Sequence, residues 1–582
     1  MTDIESPKEL RFKRGSHILS YIQKFSATEK AIFGALVLLA LITAIVMAAE
    51  VNSHFLVNVP ADGGELREGL VGLPRTVNPV LAVSDADRDI SSLVYAGLTR
   101  HTASGSVNDL AKAYSVSDDG LTYTFTLKDG LRFQDGTPLT ADDVAFTIEK
   151  IQDPVLKSPH AGDWANVTVK QVSSSVIQFT LKQAYAPFIA ETDIGILPKR
   201  IWGSVTDDQF IFSQYNIQPI GAGPYKASSI ARDSGGIPTE YRLTNWSGYA
   251  GAKPHVSDIT FVFFTDDQSA YAALDSGSID SLPSVSPDEA ARLAADSAQS
   301  YAVKSAPLPR IFGVFFNQSQ NAALADKSVR QALDMTVDRN AIVQAVLSGY
   351  GTPIAGPLPA GMSASSSAVI ATSSNFAGAQ ALLEKNGWKR DPASGIYQYQ
   401  KKGSKTVTPL SFDIYTADTP DLKQAAELVK NSWAKLGADV SVKVFDSSDL
   451  YQSVIRPRKY DALLFGELIG KDRDLYAFWH SSQRSAPGLN VSMYANSKAD
   501  KLLEQIRTTS NAQLRASEYA QFDQQVRSDI PAIFLYSPDF IYAVPKALQG
   551  LRLEELTGPS DRFDSVSSWY IETENVWRVF VK

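Results

Sequence analysis

Three features of the sequence predict a large α/β protein in which one membrane-spanning helix precedes more than one folded unit. Ala31–Ala49 is an apolar run without a charge; at 1.5 Å per residue it reaches roughly 28 Å, close to the hydrocarbon thickness of a bilayer. Ser117–Ile151 joins a strand-like alternation to a capped amphipathic helix. Leu410–Val444 reads as strand, helix, strand in the spacing of a parallel βαβ unit. With 582 residues the chain exceeds one ordinary core.

Composition narrows the class. Apolar residues make up 44% and charged residues 20%, which suits a globular chain rather than a disordered one. The net charge of −8 is small for this length, and no basic block with interleaved aromatics is present, so nucleic acid is not an expected partner. Cysteine is absent. That excludes disulfides, a thiolate metal site, a cysteine nucleophile and lipid attachment through an N-terminal cysteine.

The elements follow in order. Lys8, Arg11, Lys13, Arg14, Lys24 and Lys30 precede the apolar run and outnumber Asp3, Glu5, Glu9 and Glu29, which predicts a cytoplasmic N-terminus and an extracytoplasmic remainder. Val46-Met47-Ala48 would suit signal cleavage, but the length of the run and of its leader favours an uncleaved anchor. Glu50–Gly64 reads as a tether. Ser84 caps a helix bearing Ile90, Val94 and Leu98. In Ser117–Ile151, Leu121, Tyr123, Phe125 and Leu127 alternate with threonines, giving a strand with one buried face. Lys128-Asp129-Gly130 turns the chain, Leu131-Arg132-Phe133 reads as a short returning strand, and Thr140 caps a helix whose stripe is Val144, Ile148 and Ile151. Val176–Leu181 is a further strand. Asp338 caps a helix with the face Ile342, Val346 and Leu347, Ser363–Ser374 is a serine-rich surface loop, and a helix over Ala379–Gly387 ends at Asn386-Gly387. Leu410–Tyr415, Gln424–Leu436, Val440–Val444 and Tyr460–Gly466 complete the second half as strand, helix, strand, strand.

Several of these stretches are ordered landmarks. They are the G-x-P-L-T-A-D-D-V run ending at Val144, Gly221-Ala222-Gly223-Pro224-Tyr225, Gly277-Ser278-Ile279-Asp280, Ser328–Leu333 with Val337–Val343, and Pro531–Pro538. Together they resemble the extracellular solute-binding proteins of the oligopeptide, dipeptide and nickel class, which deliver ligands to ABC importers; the resemblance covers about residues 62–545. It implies an α/β, two-lobed periplasmic-binding-protein-like fold of type II, with an extra subdomain inserted in lobe I, preceded by the N-terminal transmembrane helix. The expected organisation is a cytoplasmic segment 1–30, anchor 31–49, tether 50–64, lobe I 65–310 with its insertion at about 99–219, lobe II 311–530, and a return to lobe I with a C-terminal segment over 531–582. The first crossing between lobes is expected near Arg310–Phe316.

The function this implies is a membrane-tethered substrate-binding component of an ABC importer, holding peptide-like or other small solutes in the cleft between lobes and passing them to a permease. The ectodomain is expected to be monomeric and the protein to sit in a bacterial cell membrane. A tethered sensor or adaptor is the alternative from another class, and a peptidase or hydrolase the third. Catalysis is disfavoured: G-x-S-x-G, H-E-x-x-H and G-x-x-x-x-G-K-[ST] do not occur, and the six histidines are scattered. Asp142/Asp143 and Asp266/Asp267 are explained as helix caps and turns. The G-A-G at Gly221–Gly223 fails as a dinucleotide fingerprint, since Lys226 stands where its third glycine would and Pro224 has no N–H. No cofactor or metal is expected.

In the resembled peptide binders a G-W-x-x-D run pairs its backbone with an extended ligand and its Asp with the ligand's amino terminus. The matching run here is Gly466–Asp474. Gly466 fits, Glu467 replaces Trp, and Gly470 replaces Asp. Asp472 or Asp474 then becomes the candidate clamp, with Glu467 a second source of negative charge. Tyr476 and Trp479 supply aromatic contact area, and Asn490 a polar cleft contact. On the opposite wall the resemblance points to Val80–Asp85, with Val83 where an acidic residue can occur and Asp85 beside it.

Overall fold

The computed structural model describes residues 24–102, 105–295, 300–359, 374–470, 472–553 and 556–580. Contacts divide the chain into two units, Met1–Ala61 with Glu572–Lys582, and Asp62–Ile571.

In the first unit, Ser26 caps helix α1 (Ala27–Phe55) reciprocally. Its hydroxyl accepts from the Glu29 N–H at 3.3 Å, and the Glu29 carboxylate accepts from the Ser26 N–H at 2.8 Å. The helix is apolar on all sides and exposed along its length. Strand β1 (Leu56–Pro60) follows directly and pairs antiparallel with Thr573–Trp577 near the far end of the sequence. The expected tether over 50–64 thus contains the last turn of a helix and a strand. Its partner is too distant in sequence for any local pattern to reveal.

The second unit opens with β2 (Glu65–Val71), then α2 (Asp85–Val94), capped by Ser84 through the Asp87 N–H at 3.1 Å. β3 (Ala111–Val116) and β4 (Thr122–Leu127) lead to α3 (Ala141–Gln152); β5 (Val167–Ser173) and β6 (Val176–Leu181) complete a four-stranded sheet in the order β3-β4-β6-β5. Tyr123, Phe125 and Leu127 are buried as their alternation predicts. The expected strand Leu131–Phe133 is reduced to a single Arg132–Pro138 bridge, because turns at Gly130 and Gly136 leave too little chain for a ladder. Helix α3 starts with the Asp143 carboxylate accepting from the Thr140 N–H at 2.8 Å.

β7 (Tyr225–Arg232), β8 (Pro238–Asn245) and β9 (Asp258–Phe264) form a second sheet in the order β2-β9-β8-β7, with β2 and β9 parallel. β10 (Tyr301–Pro307) is followed by β11 (Arg310–Phe316). Helices α4 (Lys327–Met335) and α5 (Arg339–Leu347) carry the buried Arg330 and Arg339. Arg330 donates to the carbonyls of Leu324, Ala325, Asp529 and Ile530, and Arg339 to those of Ile354 and Phe534. Arg330 thereby satisfies carbonyls at the ends of two helices, and Arg339 those of a loop and of the strand Ala532–Pro545. The serine-rich stretch Ser363–Ser374 lies, but for its last residue, outside the described residues.

β12 (Ser411–Ala417), α6 (Pro420–Leu436) and β13 (Asp439–Phe445) are the expected parallel βαβ unit, with the helix stopped by Gly437 at φ 111°. β14 (Ala462–Leu468) pairs with β11 and β12. After α7 (Tyr476–Trp479) and α8 (Ser497–Thr508) comes the long β15 (Ala532–Pro545), and β16 (Thr573–Trp577) belongs to the first unit.

Two large cores result. One takes Leu66 through Phe261 with Ala306, Leu308 and residues between Phe540 and Trp569; the other takes Ile311 through Tyr536; a smaller third cluster joins residues between Ala270 and Tyr301 to Ile541 and Ala543. The chain passes between them twice, from Leu308 to Ile311 and from Tyr536 to Phe540. β15 makes the second passage as one strand, pairing β11 through Ala532–Tyr536 and β10 through Asp539–Pro545.

Candidate functional site

Between the two cores lies a cleft of about 1240 Å³, larger than the roughly 300–1,000 Å³ common for small-molecule sites. Most of its wall comes from the first core, including α2 and the 3₁₀ helix Pro559–Ser568. The second core contributes Leu468, Ile469 and Gly470, beside Arg310.

The first wall is built on buried carboxylates. Asp87 accepts from the Arg75 and Thr76 N–H groups, both at 2.7 Å, and holds the turn before Asn78-Pro79 against the start of α2. Glu68 on β2 and Asp89 on α2 meet Arg562, whose guanidinium lies 2.5 Å from Glu68 and 2.6 Å from Asp89, all essentially without water contact. The Tyr542 hydroxyl donates to Glu68 as well. Burial alone would lower the Arg562 pKa, but Asp89 and Glu68 outweigh it and raise it. Four separate segments are joined at this one cluster. Nearby, Asp109 accepts from the Tyr249 hydroxyl at 3.0 Å; burial raises its pKa, opposed by Tyr249, Lys128 and Arg100. The cleft surface therefore carries both signs of charge: Arg88, Arg100 and Lys128 stand with Asp85, Asp109 and Asp193.

At one edge the two cores touch through side chains. Tyr185, on the side of the first core, donates its hydroxyl to Asp472. Asp474 pairs with Arg507 at 3.1 Å, and the Arg507 guanidinium lies over the rings of Tyr476 at 4.5 Å and Tyr185 at 5.2 Å. Burial raises the Asp474 pKa against the pull of Arg507. His160, Asp163 and Glu191 bring donor atoms within 4.8 Å of one another.

The family model for bacterial extracellular solute-binding proteins, family 5, matches residues 106–487. The chain belongs to this family. The oligopeptide-binding protein AppA of Bacillus subtilis is 28% identical over 533 residues, covering 88% of this chain and 92% of AppA. The nickel-binding periplasmic protein of Escherichia coli is 30% identical over 407 residues, 67% of this chain and 72% of that protein. The structure of B. subtilis AppA in complex with a nonapeptide superposes with a TM-score of 0.64 at 27% identity, over 88% of this chain and all of that one. The fold is the two-lobed α/β architecture of periplasmic binding proteins, with an apolar helix at its N-terminal side.

Within this family 5 scaffold the candidate residues occupy distinct places. Asp85 lines the cleft and pairs with Arg88 at 2.6 Å, while Val83 next to it is 65% exposed. Gly466 on β14 faces Phe312 on β11, and a Cβ there would come within 2.7 Å of the ring. Glu467 alternates to the other face and is buried, with no hydrogen-bond partner for either carboxylate oxygen among the described residues. Burial pushes its pKa well up, with the Trp479 indole pulling the other way. Asp472, Asp474 and Tyr476 sit at the bridge to Tyr185. Trp479 is buried against Phe315, Phe534 and Tyr494. Asn490 is buried and donates to the carbonyls of His480 at 3.1 Å and Tyr494 at 2.9 Å, organising the loop around it. Lys471 lies outside the described residues.

The sequence marks Lys128 only as a turn residue and Arg310 only at the crossing between lobes, and points to none of Arg100, Lys128, Tyr185, Arg310 or Arg562 as a site residue. None stands in a motif, and only Tyr185, beside Pro187 at a strand exit, carries even a weak local signal. Arg100, Lys128 and Arg310 meet at the cleft, Tyr185 at the Asp472 bridge and Arg562 at the buried carboxylates, each through long-range contacts.

Proposed function

We propose that the protein is the membrane-tethered substrate-binding component of an ABC importer, which takes a peptide-like solute into the interlobe cleft and presents it to a permease outside the cytoplasm. The observation that carries this is the large cleft of mixed charge whose walls belong to cores joined by only two crossings. Mixed charge suits a ligand with an amino and a carboxyl end, and two crossings suit closure by a hinge. AppA's complex with a nonapeptide supports the same reading. Lobe I then comprises residues 65–308 with the return from 540 to 571, lobe II comprises 311–536, which moves the expected return from 531 past the start of β15, and the hinges are Leu308–Ile311 and Tyr536–Phe540. The ligand contacts we favour are Asp85, Arg88 and the run from Leu468 to Tyr476, with Tyr185 joining Asp472 as the lobes meet. Ala31–Ala49 spans the membrane, with Lys24 and Lys30 on the cytoplasmic side.

A ligand that binds the folded state raises its melting temperature, by about 2.7 kcal/mol of added stability at a hundred times Kd. The test is a thermal-shift series of di- to hexapeptides on the full chain in nanodiscs. A concentration-dependent rise is expected for a subset of peptides. No shift with any of them at millimolar concentration refutes the peptide reading.

A further inference from the structure

The first unit contains more than a tether. Strand β16 pairs with β1 in the register Leu56–Trp577 through Pro60–Thr573, so the chain after Ile571 runs back towards the end of α1. It delivers an apolar group there. Trp577 stacks on Phe55, the last residue of α1, with ring centroids 6.2 Å apart. The short 3₁₀ turn Arg578–Phe580 follows. Phe55 is 54% exposed, Trp577 49%, Val579 77% and Phe580 75%.

The spacing sets where this group stands. Glu50 is the first charge after the apolar run, and Phe55 lies five residues on, about 7.5 Å farther along the helix axis. A bilayer of ~40–45 Å with a hydrocarbon core of ~30 Å has roughly 5–8 Å of headgroup layer on each side. Phe55 and Trp577 therefore fall at headgroup depth, the level favoured by tryptophan and other amphipathic rings. Arg578–Phe580 follows Trp577 at the end of the ribbon that meets α1. Glu574, paired with Val59, is about 10 Å farther out at ~3.3 Å per residue.

We propose that the β1–β16 ribbon is a second membrane contact, in which Phe55, Trp577, Val579 and Phe580 seat in the outer lipid interface; this rests on the reading of α1 as an anchor. Both chain connections to the solute-binding unit, at Ala61 and Glu572, then leave from one lipid-bound ribbon. Among the described residues the charges beside the ribbon are Glu50, Glu572, Glu574 and Arg578, so apolar burial drives the contact and anionic lipid is not required.

The absence of cysteine permits single-site labelling of the full chain. Phe580→Cys, Glu574→Cys and Leu38→Cys are each labelled with bimane and reconstituted in phosphatidylcholine nanodiscs. Quenching is then measured with brominated lipid and with aqueous iodide. The expected result is lipid quenching with loss of iodide quenching at 580, the reverse at 574, and deep lipid quenching at 38. If 580 behaves like 574 while 38 is in hydrocarbon, the ribbon contact is overturned and the anchor stands. If 38 is open to iodide, the anchor reading fails and takes the proposal with it. A label at 580 shielded from both quenchers indicates a protein partner and also overturns the proposal.

Discussion

Replacing Arg562 by methionine should be among the costliest single changes in the solute-binding unit. The change retains an aliphatic stem and removes the cation that pairs with Glu68 and Asp89. These carboxylates are 0% and 1% exposed, so water cannot replace the guanidinium. Removing one partner of a buried pair typically costs about 3–5 kcal/mol. Here one guanidinium serves two carboxylates, with donors at 2.5 Å from Glu68 and at 2.6 and 3.0 Å from Asp89, so the loss belongs at the upper end of that range. Arg88→Met is the control. Its partner Asp85 is 55% exposed, and the expected loss is under about 1 kcal/mol. The assay is urea unfolding of the full chain in nanodiscs by tryptophan fluorescence, with hydrogen exchange at β2 and α2 to locate the weakening. Adding Glu68→Gln to Arg562→Met should recover part of the loss, because one uncompensated charge is gone and the two sites are coupled. The reasoning is refuted if Arg562→Met lies within about 1 kcal/mol of the native chain, or if the double variant loses the sum of the two single losses.

Three further outcomes are expected. The folded-state pKa of Glu467 is raised, so the stability it contributes is complete below the unfolded carboxylate range and is lost as pH rises through the folded value. Glu467→Gln should then stabilise the protein at pH 8 by about 1–3 kcal/mol and flatten the dependence between pH 5 and 8, read from urea midpoints; equal pH slopes in the two proteins would contradict the burial argument. Tyr185→Phe removes the hydroxyl that reaches Asp472 at the edge where the two cores touch. A hydrogen bond to a charged group is worth about 1.5 kcal/mol or more, so peptide affinity by calorimetry should fall about tenfold, and unchanged affinity would remove this contact from the closing surface. Gly466→Ala must displace the Phe312 ring, which stacks on Tyr536 at 5.2 Å; a loss of about 1–3 kcal/mol is expected in the same urea assay.

Much of the scaffold was legible because its signals are local. Period-two burial in β4, the caps of α2 and α3, the glycine stop of α6 and the parallel βαβ unit each depend on residues within a few places of one another. The candidate site was legible only in part. Gly466–Tyr476 is a contiguous departure from a recognisable run, so it could be noticed. Which way each side chain points could not: β14 turns Glu467 inward, and the lobe II core takes Trp479. Tyr185 stands nearly three hundred residues before Asp472 (|i−j| of 287), and no pattern in either stretch announces the other.

By itself the sequence determined the family, the order of elements and the presence of one apolar helix, because caps, periodicity and ordered motifs act through neighbours along the chain. Tertiary structure alone decided that Arg562 neutralises Glu68 and Asp89, that positive and negative side chains share one cleft, and that Trp577 returns to Phe55 beside the helix. Burial and charge pairing depend on distances in space, and strand register and lobe packing set those distances between residues that the sequence keeps far apart.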